Sequence, residues 1–421
     1  MKNYLAKSPQ ELRKVISDIR NVALSKNLKV YLVGGFVRDL ILGVNNLDLD
    51  IVVEGEGIDF ARHYAKVLGV KFISHKHFGT ATVYIKPHLK VDFSTARNES
   101  YPKPAHLPIV QPGLLKDDLS RRDFTINAMA IDLSNNKLID LFSGLRDLKD
   151  KKIRVLHDLS FIDDPTRILR AIRFEQRFNF RIEPRTLRLL KDASRLKMLN
   201  RVQPHRIRDY LILILKEKNP IKEIKRIEGL LGFDFIHLKL RINAKIYALL
   251  KAIEKEVKAF SKDYPKRRDL DIWLVFLIGL FDGINKQDIK GVCSKFGLRR
   301  GEEIRILSYK KSNNIVKALS KADIKPSSIF KLLEPLSYET IICLKAKYNN
   351  SFFNTNSSNF LSIYNGMRIF VAGGDLHKLG VVPGPRYQQI FSQVLAAKLN
   401  GLVSTKEEEL NLIRKLLNKR S

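Results

Sequence analysis

The residues best suited to chemistry lie between Lys29 and Glu54, in the run K-V-Y-L-V-G-G-F-V-R-D-L-I-L-G-V-N-N-L-D-L-D-I-V-V-E. Asp48 and Asp50 sit two apart on a segment that reads as a β-strand. Both carboxylates then face the same way, with Leu47, Leu49 and Ile51 expected to pack behind them. Two acids that close repel each other, and one stays protonated unless a divalent cation lies between them. Magnesium suits such a pair, because it takes hard oxygen ligands and shares them with substrate phosphates. Just upstream, Tyr31, Leu32 and Val33 read as a buried strand, Gly34 and Gly35 break it, and Phe36 to Leu42 has helical spacing. Glycines let the backbone approach a ligand, amides opening a helix can face a phosphate, and Arg38 one turn on can add a charge-assisted contact. A phosphate cradle beside a metal-binding acid pair is the machinery of phosphoryl or nucleotidyl transfer. The plainer alternative is a simple turn followed by the wet face of an edge strand. Two such motifs in one short stretch favour the transfer reading.

Further groups of the same chemical type follow. Asp92, between Val91 and Phe93, is a candidate third acid at the metal pair or an exposed strand aspartate. In the run from Asp117 to Asn127, Arg121 and Arg122 can hold a triphosphate and Asp123 a ribose hydroxyl, unless the group is a surface salt-bridge cluster. At Phe161-Ile162-Asp163-Asp164-Pro165 a helix is expected to start, with Asp164 as its cap and Pro165 at its first position. Arg167, Arg170 and Arg173 then recur every third residue, with Ile168, Ala171, Ile172 and Phe174 on the other side. Beginning beside two aspartates, that stripe offers planar donors and acceptors for base edges; a solvated helix face is the alternative.

These groups need a scaffold. Ser8-Pro9-Gln10-Glu11 reads as a capping box opening a helix to about Ser25. Ile58 to Leu68 is a second amphipathic helix, and Val70–Ser74, Thr80–Ile85 and Lys90–Thr95 are β-rich. Ala96 to Pro112, with four prolines and little periodicity, reads as an ordered or mobile surface loop, a usual place for substrate gating. A strand from Ala128 to Leu133 closes a first domain near Asp140, and the pattern is helical thereafter, including the apolar run Trp273 to Phe281. Asn349 to Asn359 reads as a polar, locally disordered linker, and Gly373-Gly374 as a helix-capping turn rather than a second phosphate loop.

At 421 residues the chain is too long for one core and suggests two to four domains. Its 76 basic and 44 acidic residues give a formal charge of +32, which points to a polyanionic partner, nucleic acid first, unless it reflects a general lysine bias. Residues 181–220 alone hold eleven Lys or Arg against four Asp or Glu. No apolar run approaches the length of a membrane-spanning helix. Cys293 and Cys343, far apart and without ligand partners, indicate neither a zinc site nor a disulfide framework. The opening M-K-N-Y-L-A-K lacks a signal-type apolar core, so a reducing cytoplasm is expected.

Three long stretches, L-V-G-G-F-V-R-D with its D-L-D, R-R-D-F-T-I-N-A-M-A, and D-D-P-T-R-I-L-R-A-I-R-F, closely resemble the class II tRNA nucleotidyltransferases, relatives of bacterial poly(A) polymerases. The likeness is dense over about residues 29–210, and G-G-D-L-x-x-L-G-x-x-P-G-P near residue 373 looks like the tail of some members. It implies an α+β fold: a polymerase-β-like nucleotidyltransferase head of mixed β-sheet and helices over residues 1–140, a base-recognising helical neck over 141–225, and a tRNA-binding helical body and tail over 226–421. In that scheme Asp48 and Asp50 hold Mg²⁺ for attack of an RNA 3′-hydroxyl on the α-phosphate of ATP or CTP, and Asp92 is counted with them as a candidate catalytic acid. Gly34, Gly35 and Arg38 hold the triphosphate; Arg121, Arg122 and Asp123 hold phosphate and ribose, and Asn127, closing that motif, is counted with them. Asp163, Asp164 and Arg167 read the base without a template. The partners implied are the tRNA 3′ acceptor end, ATP and CTP. Departures from the family pattern are Asp163 where glutamate is commoner, N-E-S-Y-P-K-P-A-H-L-P in place of a charged flexible loop, and Tyr210 where the family has glutamate. The last two weaken a claim of full C-C-A synthesis and keep A-only addition and poly(A) synthesis open, beside a catalytically idle RNA-binding protein.

Overall fold

The computed structural model describes residues 4–76 and 79–418. The chain divides into two compact units, Met1–Tyr210 with Gly229–Leu231 and Leu211–Glu228 with Gly232–Ser421.

The first unit opens with helix α1 (Gln10–Ser25), whose Leu12, Val15, Ile16, Ile19 and Ala23 recur at helical spacing and are buried. The expected capping box does not form. The helix begins after Pro9 with no side-chain cap, and the buried Ser8 Oγ has no hydrogen-bond partner among the described residues. Strand β1 (Lys29–Val33), helix α2 (Gly34–Leu42), strand β2 (Leu49–Glu54) and helix α3 (Gly57–Leu68) follow, then strands β3 (Lys71–His75), β4 (Thr80–Lys86) and β5 (Leu89–Thr95). After the short strands β6 (Arg97–Ser100) and β7 (Ile109–Pro112) and helix α4 (Leu115–Ser120), strands β8 (Met129–Asp132) and β9 (Leu138–Asp140) complete the sheet. Its order is β3-β4-β5-β2-β1-β8-β9. The β2–β5 pair is parallel and the other neighbours are antiparallel, so the sheet is mixed. Val52, Val53, Val83, Val91 and Phe93 are almost wholly buried; each such side chain contributes roughly 1.5–3 kcal/mol relative to exposure. Phe60 and Tyr64 of α3 tilt onto Phe93, with centroids 5.6 and 5.8 Å away, which fixes that helix against the sheet.

Three local expectations are corrected here. Asp48 lies just ahead of β2 rather than within it, and Leu47 is 42% exposed, so only Leu49 and Ile51 pack behind the acids. The stretch from Ala96 to Pro112 is ordered and more than a loop, because β6 and β7 pair antiparallel from Arg97↔Pro112 to Ser100↔Ile109. Its prolines fall in the connection and at a strand end, where no ladder donor is needed.

Short elements lead on from the sheet: helix α5 (Gly144–Lys149), strand β10 (Lys152–Ile153), helix α6 (Ser160–Asp163), helix α7 (Thr166–Phe178), strand β11 (Arg181–Ile182), which pairs in parallel with β10, and helix α8 (Pro184–Arg195). Helix α9 (Pro204–Leu215) runs past the end of this unit.

The second unit is helical. Helix Ile272–Leu280 is buried at every residue from Trp273 to Leu280, as the centre of a helical core requires. The asparagine-rich stretch beyond Asn349 is not disordered but forms helix Ser351–Ser362. Asn350 caps it by accepting from Phe353 N, and Phe353, Phe360 and Leu361 are buried. Two phenylalanines and a leucine at helical spacing outweigh the polar composition. Gly373 and Gly374 open the helix Gly373–Lys378 instead of ending one, with Asp375 accepting from Ala372 N. Val371, Leu376, Val381, Ile390, Val394 and Ile413 make a small core there. Cys293 and Cys343 are buried free thiols, and no helix among the described residues is long and apolar enough to cross a membrane.

Candidate active site

The strand-to-helix bend is the starting point. Gly34 has φ +70, which favours glycine, and a Cβ there would lie 2.6 Å from Arg122 Nη1 and 3.7 Å from Asp50 Oδ2. The bend, an arginine and one of the acids therefore meet at one place. Asp50 pairs in register with Asp92 across the parallel β2–β5 ladder, and Asp92 with Thr82 across β4–β5, so the three side chains share a face. Burial raises the Asp50 carboxyl to about 6; Arg122 opposes this, while Asp92 and Asp48 add to it. A half-buried acid with two acidic neighbours is a site that a cation would relieve. Asp92 is already engaged, accepting from Thr82 Oγ1 at 2.5 Å and Lys90 Nζ at 2.8 Å. Among the described residues no group of three His, Cys, Asp or Glu side chains that could hold a metal ion is found, so Asp92 does not join Asp48 and Asp50 in a three-acid cluster.

Arginines make the opposite wall, each set by a carboxylate. Asp118, on α4, is fully buried and accepts from Arg121 Nη2 at 2.5 Å and Arg122 Nη2 at 2.8 Å. Burial disfavours its charge, but the two arginines outweigh that and hold it below the usual carboxylate range. Arg121 also donates to Glu99 Oε1 at 2.8 Å, so it is clamped between two acids. Arg38 is buried, donates to Asp39 Oδ1 at 2.8 Å and Asn127 Oδ1 at 2.6 Å, and stacks over Phe178 and Phe174 at 4.7 and 5.2 Å. Asn127 in turn donates to Asp123 Oδ1 at 2.8 Å. Asp123 Oδ2 takes Arg170 Nε at 2.6 Å, and Arg170 and Asn127 outweigh burial to keep Asp123 ionised. Arg170 also donates to the Tyr210 hydroxyl at 3.3 Å.

Helix α7 starts where expected to within a residue. Asp164 Oδ1 accepts from Thr166 N at 3.1 Å and Thr166 Oγ1 at 2.6 Å, so Asp164 caps the helix, and Arg206 adds a bond at 2.9 Å. Arg167 is buried and donates to Ser160 Oγ at 2.6 Å and to the Arg121 carbonyl at 2.7 Å.

All these walls enclose a cavity of about 880 Å³. Gly34, Gly35, Arg38, Asp48, Asp50, Asp92, Arg121, Arg122, Asp123, Asn127, Asp164, Arg167, Arg170 and Arg173 line it. Asp163 does not; it faces His157, Oδ2 to Nδ1 3.9 Å, and burial raises its carboxyl. The cavity wall also includes Asp39, Glu99, Tyr101, Phe174, Arg177 and Tyr210. Asp118 was traceable, three and four residues ahead of two arginines on a helix. Glu99 and Tyr101 gave no local signal, since only the β6–β7 pairing turns them inward.

A mixed sheet with a glycine bend, an acid pair and an arginine wall defines a nucleotidyltransferase-type head, and residues 30–154 match the family described as the Poly A polymerase head domain. The chain is 36% identical to an A-adding tRNA nucleotidyltransferase of Geobacter sulfurreducens over 97% of its own length, and spans 47% of that longer relative. It is also similar to a Thermotoga maritima CCA-adding enzyme complexed with tRNA, at 33% identity and TM-score 0.74, covering 99% of this chain and 98% of that one. A CCA-adding enzyme in complex with ATP is similar at 33% identity and TM-score 0.77, covering 100% and 98%. The chain belongs to the tRNA nucleotidyltransferase family that includes the CCA-adding and A-adding enzymes.

Proposed function

We propose that this chain adds nucleotides to the 3′ end of tRNA without a nucleic-acid template, completing either all of C-C-A or only the terminal A. The observation that carries this reading is the convergence, in one cavity sized for a nucleoside triphosphate, of Asp48 and Asp50 at the start of β2, a glycine bend and arginines already oriented by buried carboxylates. In the reaction the RNA 3′-hydroxyl attacks the α-phosphate of ATP or CTP and pyrophosphate leaves.

Gly34 and Gly35 let the α2 amides approach the triphosphate, Arg122 reaches over the bend, and Arg38 braces Asn127. Asp123 and Asn127 face the ribose, and Asp164 with Arg167 the base edge. Arg170 and Arg173 extend that wall, and Arg121, clamped by Asp118 and Glu99, serves more to position than to bind. Asp48 and Asp50 would hold Mg²⁺, with Asp92 nearby. Bound there, the ion would lower the pKa of the attacking hydroxyl and screen charge on the phosphates. We assign residues 1–140 to catalysis, 141–225 to base recognition and 226–421 to tRNA, in a reducing cytoplasm that suits two unpaired thiols. Backbone phosphates and shape would hold the acceptor arm, so affinity for tRNA should fall steeply with salt.

Poly(A) synthesis on general RNA is a second reading, favoured by the head-domain match. One assay separates the readings: purified protein with tRNA ending before C-C, tRNA ending after C-C, or an unrelated RNA, each nucleotide supplied alone. C incorporation on the first substrate together with A incorporation on the second means full C-C-A addition, and A on the second with no C on the first means A addition. Extension of the unrelated RNA means poly(A) synthesis, and binding with no incorporation overturns the transferase reading.

A further inference from the structure

Pairing of β6 with β7 puts an aromatic ring into the cavity wall. Tyr101 directly follows β6, is half-buried, and lines the cavity together with Asp164 and Arg167. Its hydroxyl donates to Glu99 Oε2 at 3.0 Å. Glu99 is itself pinned on Oε1 by Arg97 Nε at 3.1 Å and Arg121 Nη1 at 2.8 Å. The loop beyond Tyr101 is anchored as well. Buried Ala105, at φ 63, donates its N–H to the Ile162 carbonyl at 3.2 Å, immediately ahead of Asp163 and Asp164. Arg167 donates to the carbonyl of the same Arg121 that holds Glu99. Ring, anchor and base-facing pair thus form one closed set of contacts. The charges of Arg167 and Asp164 are felt by the phenol, whose proton is held more tightly mainly because of burial.

Hydrogen bonds from Asp164 and Arg167 address the edge of a base, and a base also has two faces. Aromatic side chains contribute by covering a face, and that contribution grows with the area stacked, so a purine gains more than a pyrimidine. Holding the ring by its hydroxyl removes the rotamer freedom that would otherwise oppose stacking.

We propose that Tyr101 contacts the nucleobase and sets specificity: its ring, oriented through Glu99, packs against the base addressed by Asp164 and Arg167 and favours adenine over cytosine. The inference rests on the transferase reading above and adds a residue to the site.

The test uses the full chain with a tRNA ending after C-C, measuring KM for ATP and the inhibition constant of CTP against ATP incorporation. Tyr101→Leu is expected to raise the ATP KM by about 10-fold and the CTP constant by about threefold or less. Tyr101→Phe keeps the ring but loses its tether, and is expected to raise the ATP KM by only about two- to threefold. If the leucine variant melts below the assay temperature, Tyr101→Met replaces it with the same expectation. An ATP KM within twofold of wild type, equal weakening of both nucleotides, or a loss confined to kcat would overturn the proposal, the last marking Tyr101 as hairpin support. Wild-type protein that incorporates no nucleotide sinks the transferase reading itself, and so differs from failure of the Tyr101 variants alone.

Discussion

Asp118 in the first unit and Glu339 in the second are both fully buried, and each holds two arginines. Asp118 takes Arg121 at 2.5 Å and Arg122 at 2.8 Å; Glu339 takes Arg268 at 2.7 Å and Arg305 at 3.5 Å. Both carboxyls lie below their ordinary range despite burial, Glu339 at about 2. What differs is where the arginines go next. Arg268 donates to the Asp269 carbonyl and stacks over Tyr338, while Arg305 bonds Asp271, so those donors close a loop onto neighbouring helix ends. Arg121 and Arg122 line an open cavity, and Arg122 lies over a glycine bend. The same electrostatic device thus holds helices together in one place and, in the other, sets two arginines in the wall of a cavity. An arginine–carboxylate cluster alone does not separate those roles. The concavity in front of it does.

The comparison can be broken by substitution, beginning with the largest effect. Asp50→Ala removes the acid on the bend and is expected to lower kcat by about 1,000-fold or more in the tRNA incorporation assay. Thermal melting should stay near wild type, since an acid destabilised by burial is lost. Undiminished incorporation would place the chemistry elsewhere. Asp118→Asn breaks a buried charge cluster and should cost about 3–5 kcal/mol in urea unfolding. It should also raise the nucleotide KM by roughly 10- to 100-fold, because two arginines lose their anchor.

Glu339→Gln is the matching change in the helical unit. Lowering a carboxyl from 4.5 to about 2 corresponds to about 3 kcal/mol of stability. Because the folded value is depressed, that contribution is complete above about pH 4.5 and is lost as pH falls toward 2. The gap between wild type and variant in urea midpoint should therefore be wide at pH 7, still more than half as wide at pH 3.5 and narrow only near pH 2, with nucleotide KM unchanged. A changed KM would erase the distinction between the two clusters. The smallest effect belongs to Asn350→Ala, which removes the cap on Phe353 N and should cost about 1 kcal/mol, read as a melting shift of about 2–4 °C. No shift would mean that the helix Ser351–Ser362 does not depend on its cap.

Much of the head was legible because its signals are local. A glycine pair after an apolar strand and arginines every third residue state their geometry within a few positions, and those residues line one cavity with Asp48 and Asp50, although Asp48 sits ahead of the strand. Asp164 could be read as a cap for the same reason, since capping involves only the next two or three residues. Reading failed where the decision came from a distant partner. Ala96 to Pro112 read as a surface loop, ordered or mobile, yet its two ends pair as strands from Arg97↔Pro112 inward. Asn349 to Asn359 looked too polar to fold, yet two phenylalanines find a core.

The order of residues by itself determined which side chains were within reach of one another along a strand or a helix turn, because pleat and helical periods are properties of the backbone. Only tertiary structure decided that Asp163 turns to His157 while Asp164 faces the cavity, that Arg121 is held between Asp118 and Glu99, and that Tyr101 lines the same cavity as Asp164 and Arg167. Those outcomes depend on competition among charged groups brought together by chain segments far apart in sequence, and no local period encodes the winner.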